Sequence, residues 1–148
     1  AAAMAGLGLR GSAPGPEREA EAWGSRTMLD LLGGDPIQRV LAADALARPR
    51  ATMEPRSRIA WLVGALEDEY PAVRLAATRA IRENARQSGD RALQEAIAAF
   101  DFLGPVDARL VVVDRLRELV GPGPLDAHPE RLEALAAAQE RQLIWIGE

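Results

Sequence analysis

A single histidine, one run of three carboxylates and a set of arginines are the side chains in this chain with chemistry to offer. General acid-base catalysis near neutral pH wants a group that titrates there, and His128 is the only imidazole. It stands in Asp126-Ala127-His128-Pro129 at an expected helix start, where a loop or capping role suits it better than proton transfer. One histidine cannot make a usual zinc site. The carboxylates Glu67, Asp68 and Glu69 lie just before a helix N-terminus, where the macrodipole favours negative charge by about 0.3–1 kcal/mol per group. That placement accounts for them without a metal. The arginines are more ordered. Arg39, Arg74 and Arg109 fall at intervals of thirty-five, each followed by an apolar residue (Val40, Leu75, Leu110) and, seven positions on, by a large aliphatic one (Leu46, Ile81, Leu116). Arg74, Thr78 and Arg82 share a helix face beside Arg79, Glu83 and Arg86, and arginine forks suit phosphates and carboxylates.

Composition closes several routes. All 18 basic residues are arginine, so neither a Schiff-base lysine nor the lysine of a phosphate-binding loop is present. There is no cysteine, which excludes disulfides, thiolate metal ligands and covalently attached haem within this sequence. No HExxH, GxSxG or GxGxxG motif occurs. Enzymatic activity and cofactors are therefore not expected. The net charge of −4 disfavours nucleic acid as a partner. No run of about 18 apolar residues is available to span a membrane.

The elements that would position these side chains are helices. Nearly half the residues are hydrophobic (48%), but Ala, Leu and Val dominate and aromatics contribute only 4%, which favours close helix–helix packing over a β core. Residues 1–16, rich in Gly, Ser and Pro without period, read as a linker or arm, and residues 17–148 as one helical repeat domain. Glu17 to Trp23 can open a helix, and Thr27 to Leu32 gives a short one stopped at Gly33-Gly34. Asp35-Pro36 starts the next, with Ile37, Val40, Leu41, Ala45 and Leu46 as its expected buried stripe. A second hairpin begins at about Pro55, its first helix carrying Ile59, Leu62, Val63 and Leu66, with Trp61 off that stripe and open to two readings, packing or display. Its partner opens at Tyr70-Pro71 and should bury Val73, Ala77, Ala80, Ile81 and Ala85. The third hairpin should place Leu93, Ile97, Phe100 and Leu103 in one helix and Val106, Leu110, Val113, Leu116 and Val120 on the facing one. A last helix, about Pro129 to Ile144, ends in Leu143-Ile144-Trp145-Ile146, too apolar to stand free in water.

A period of 20 to 50 residues with one helical hairpin per copy marks a solenoid. The stretch Asp68-x-Tyr70-Pro71-x-Val73-Arg74-x-Ala76-Ala77-x-x-Ala80-Ile81 resembles the second half of a HEAT repeat. The resemblance implies an all-α, right-handed α-α superhelix of about three hairpins plus a terminal helix, with Asp68 and Arg74 in the places where that family builds an Asp–Arg ladder along the stack. The first copy has Gly33 where the Asp belongs, with Asp35 as a substitute, and the third has Leu103. More faintly, Trp61 to Glu148 is similar to HEAT arrays fused to bacterial multihaem cytochromes c or to membrane proteins, which implies an extracytoplasmic setting; without that likeness a cytoplasmic one is expected.

Function follows from that architecture as an expectation: a non-catalytic protein-interaction or scaffolding domain, with a protein or another domain of a larger chain as partner. The residues expected to meet it are Arg39, Arg74, Thr78, Arg82, Arg109 and Arg117 on the second helices, with Trp61 and Trp145. The alternatives are a HEAT-like binder of nucleic-acid phosphates and, more remotely, a HEAT-like bilin lyase.

Overall fold

The computed structural model describes residues 26–49 and 53–121. Across these residues the chain is all-α, with no strand. Helix α1 covers residues 26–33, α2 Pro36–Ala47, α3 Pro55–Leu62, α4 Pro71–Ser88, α5 Arg91–Ala98 and α6 Val106–Val120; a 3-10 segment, Val63–Glu67, continues α3. The arm at 1–16, the expected helix at Glu17–Trp23, His128, the terminal helix and Trp145 lie outside the described residues.

The starts of these helices are written locally. Asp35 caps α2 through a reciprocal pair: its Oδ1 accepts from the Gln38 amide at 2.8 Å while Gln38 Oε1 accepts from the Asp35 amide at 2.9 Å. The chain reaches that cap through a turn so tight that a Cβ on Gly34 would lie 2.4 Å from the Asp30 carbonyl. Pro71 opens α4 after Asp68 Oδ1 accepts from the Tyr70 amide, and Gly89, at φ 68°, closes it in the left-handed conformation that glycine adopts without strain. Asp90 then caps α5 by accepting from the Leu93 amide.

Helix α4 is the centre of the molecule, packed on α2, on α3 and on α5. Its buried face is the expected one, Val73, Ala77, Ala80, Ile81 and Ala85, joined by Arg74, Thr78 and Asn84. Leu46, Ile81 and Leu116, the three aliphatic residues at matching offsets, are all buried in one continuous core with Leu62, Leu66 and Ile97. Trp61 is half-buried against the same core.

The elements correct the expected stripes in three places. In α2 the buried residues are Arg39, Ala42, Ala43 and Leu46, while Ile37 and Leu41 face out at 67% and 63% exposure. The small Ala42 and Ala43 let α2 lie close against the alanine-lined face of α4, and that approach turns the larger aliphatics away. Helix α5 stops at Ala98, so Phe100 enters the core from the following loop and Leu103 is exposed. In α6 only Val113 and Leu116 are buried, and Val106 and Leu110 lie open to solvent. The cause is the seat of α6: it rests on the 3-10 segment, α3 and α5, whereas α4 rests broadly on α2. The third pair thus rolls toward the first helix of the second hairpin instead of repeating the α2–α4 contact.

Candidate functional site

The arginines at thirty-five-residue intervals have one structural role in common. Each reaches back to a carbonyl five residues earlier in the turn that opens its helix: Arg39 Nη1 donates to Gly34 O at 2.7 Å, Arg74 Nη1 to Glu69 O at 3.0 Å and Arg109 Nε to Gly104 O at 3.0 Å. Two of them also reach forward to the next turn. Arg39 pairs with Asp68, Nε lying 2.8 Å from Oδ2 and Nη2 donating to Oδ1 at 3.3 Å, with both side chains nearly buried. Arg74 Nε donates to Phe102 O at 2.8 Å, so a backbone carbonyl takes the part that a carboxylate plays one step earlier. Leu103, in the position expected for that carboxylate, is 68% exposed, and Asp101 shapes the turn instead by accepting from the Leu103 amide. Asp35 serves as the α2 cap and takes no part in the ladder.

This arrangement sorts the side chains singled out from the sequence. Arg39, Arg74 and Thr78 are buried, and the Thr78 hydroxyl donates to Arg74 O. Arg82 is exposed and has no ion-pair partner among the described residues. Arg117 is exposed and paired with Glu67 at 2.7 Å. Arg109 is half-buried, and among the described residues its side chain donates a hydrogen bond from Nε. Trp61 belongs to the core margin.

Arg74 and Arg109 meet in a cleft of about 260 Å³ between the end of the 3-10 segment and the first two turns of α6. Leu66, Val106 and Leu110 supply apolar walls, and Glu67, Asp68 and Glu69 lie along one side. Two of those carboxylates are already matched, Glu67 by Arg117 and Asp68 by Arg39. Burial and the nearby Arg109 guanidinium push the Arg74 pKa down, and Asp68 opposes them; an arginine stays charged through such shifts. The cleft holds no imidazole, and no group of three or more potential metal-ligating side chains occurs among the described residues. Its volume falls below the roughly 300–1,000 Å³ of small-molecule sites. It has room for one or two side chains of a polypeptide.

Two buried polar residues escape pattern reading altogether. Asn84, with no exposed surface, donates from Nδ2 to Leu46 O and to Ala80 O, both at 2.8 Å, and so ties α4 to the last turn of α2. Arg58 donates to Arg48 O and to Gln87 Oε1, and burial lowers its pKa. Neither residue type at its position signals its partner, because both accept their role from carbonyls or amides of remote segments.

No protein-family profile, no curated protein and no solved structure matches this chain.

Proposed function

We propose that the domain is a HEAT-like right-handed α-α superhelix acting as a non-catalytic protein-interaction or scaffolding module. The observation that carries this reading is the cleft of Leu66, Val106, Leu110, Arg74 and Arg109: apolar walls, charges of both signs and a volume suited to side chains. Protein contacts are built from such an apolar centre with a polar rim. The recurrence of one arginine contact in three successive turns supports the repeat architecture. A phosphate track would need a continuous positive groove, and here Glu67, Asp68 and Glu69 interrupt it.

Peptide-library selection against the whole chain tests the reading. Ligands are expected to carry an apolar anchor and to lose at least about tenfold in affinity against Leu110→Asp or Arg109→Glu, since a buried anchor contributes more than ~1.4 kcal/mol. Ligands that bind both variants as well as the parent would refute the assignment of the cleft. A gel-shift titration with duplex and single-stranded DNA is expected to give no retarded band at either low or moderate salt; a band that weakens steeply with salt would move the reading to nucleic acid.

A further inference from the structure

The arginines at thirty-five-residue intervals differ in what opposes their charge. Arg39 has a carboxylate, Asp68, with Nε 2.8 Å from Oδ2. Arg74 donates to the carbonyls of Asp68, Glu69 and Phe102, and it has no ion-pair partner among the described residues. Leu103, at the place expected for a carboxylate opposite it, is exposed. Arg109 donates from Nε to Gly104 O, and among the described residues its terminal nitrogens have neither a hydrogen-bond nor an ion-pair partner. Both guanidinium groups line the one cleft, close enough that the Arg109 charge, after burial, is the next cause lowering the Arg74 pKa.

The carboxylates of the cleft do not balance this pair. Glu67 is held by Arg117 and Asp68 by Arg39, so among the described residues Glu69 is the lining acid without an ion pair. One positive charge is left over beside the apolar walls of Leu66, Val106 and Leu110. A single carboxylate neutralises it, whereas a phosphate, carrying nearly two charges, would meet the row of acids. Val106, Arg109 and Leu110 lie within about one turn of α6, so the ligand must present its carboxylate close to its apolar group. The amides of Asp68, Arg74 and Arg109 are already engaged, by Ala65 O, Tyr70 O and Pro105 O. A chain-terminal carboxylate, which is captured by free backbone amides, finds none at these residues. The fork of Arg109 suits the carboxylate of a side chain.

Resting on the interaction reading above, we infer that the partner is an acidic polypeptide segment, with an aspartate or glutamate side chain bonded to Arg109 and a neighbouring aliphatic side chain seated on Val106 and Leu110. Arg109 makes the contact. Arg74, tied to three carbonyls, is held where its charge strengthens that contact without moving. The partner thus supplies to Arg109 what Asp68 supplies to Arg39.

The probe is a library of C-terminally amidated peptides with randomised interiors, selected against the whole chain beside a parallel library with free C-termini. Binders are expected to carry Asp or Glu close to Leu, Ile or Val. Changing that acid to its amide in the peptide should weaken binding at least about fivefold, within the reach of one charge-assisted hydrogen bond. On Arg109→Gln the same change should cost less than about twofold, because its partner has gone, and Arg109→Lys should recover part of the affinity. The comparison of acid and amide peptides on the unaltered chain needs no variant, and circular dichroism shows whether Arg109→Gln keeps its fold. Binders without an acid, an acid-to-amide loss equally large on folded Arg109→Gln, or selection of free C-termini alone would each overturn the inference. Peptides that need Leu110 but are indifferent to the loss of their acid leave the interaction reading standing and remove this one. Peptides indifferent to both Leu110→Asp and Arg109→Glu, or no binders at all, remove the reading itself and this inference with it.

Discussion

Replacing Asn84 tests the packing of α4 on α2 most sharply. The residue has no exposed surface, and its Nδ2 is the donor seen for Leu46 O in the last turn of α2, where helix carbonyls have no partner within the helix. Asn84→Ala removes that donor and leaves a buried carbonyl unsatisfied, which costs about 1–3 kcal/mol; the second bond, to Ala80 O, contributes about 1 kcal/mol more. Oδ1 is buried without a partner among the described residues, so its removal returns part of this, and the net expectation is about 2–3 kcal/mol. Asn84→Asp is the informative companion. It would face two carbonyl oxygens with a carboxylate, and burial and hydrogen bonding would both favour the protonated acid, raising its native pKa above the unfolded value of about 3.9. With the native pKa raised, the folded state binds the extra proton, so stability is greatest below about pH 4 and falls as pH rises, by about 1.36 kcal/mol per unit until the native pKa is passed. Urea unfolding followed by circular dichroism at pH 4 and pH 7 measures both. A difference between Asn84→Asp and the parent that does not grow from pH 4 to pH 7, or an Asn84→Ala cost below about 0.5 kcal/mol, would refute the inter-helix bond.

Leu46→Ala, Ile81→Ala and Leu116→Ala should each cost about 2–5 kcal/mol in the same unfolding assay, because all three side chains sit in one core; a Leu116→Ala cost under about 1 kcal/mol would detach the third hairpin from it. In a double-mutant cycle, Arg39→Met and Asp68→Asn should show coupling of at least about 1 kcal/mol, since both side chains are nearly buried, whereas the exposed Arg91–Glu95 pair should show little. Hydrogen bonds from Arg86 and then Gln87 hold the Glu83 pKa down to about 2. A depressed native value means that the stabilisation is present above the unfolded pKa near 4.5 and is lost as pH falls toward 2, so the melting temperature of Glu83→Gln should fall less than the parent's across that window.

The parts of this fold that sequence makes legible are those whose cause is local. The Asp35-Pro36 start, the Gly89 stop and the alanine-rich face of α4 follow from capping chemistry, positive φ and helical periodicity. What the sequence hides are decisions taken between segments. Hydrophobicity alone assigns Ile37 and Leu41 to the interior, but the close seat of Ala42 and Ala43 on α4 excludes them. Arg39 is buried against the ordinary tendency of arginine because Gly34 O and Asp68, from two different turns, both accept from it. The thirty-five-residue spacing of the arginines is visible at once; that their shared task is to bind the turn five residues behind is visible only with the turns in place. The cleft is of the same kind, since Leu66 and Leu110 become neighbours only when α6 rolls onto the 3-10 segment.

That roll divides the molecule's loyalties unevenly. Helix α2 leans almost wholly on α4 and touches α3 only slightly, so a change that loosens α4 would release α2 as well. Helix α6, seated on the 3-10 segment, α3 and α5, would keep its footing through the same change. The two ends of the described chain are thus unequally dependent on its central helix.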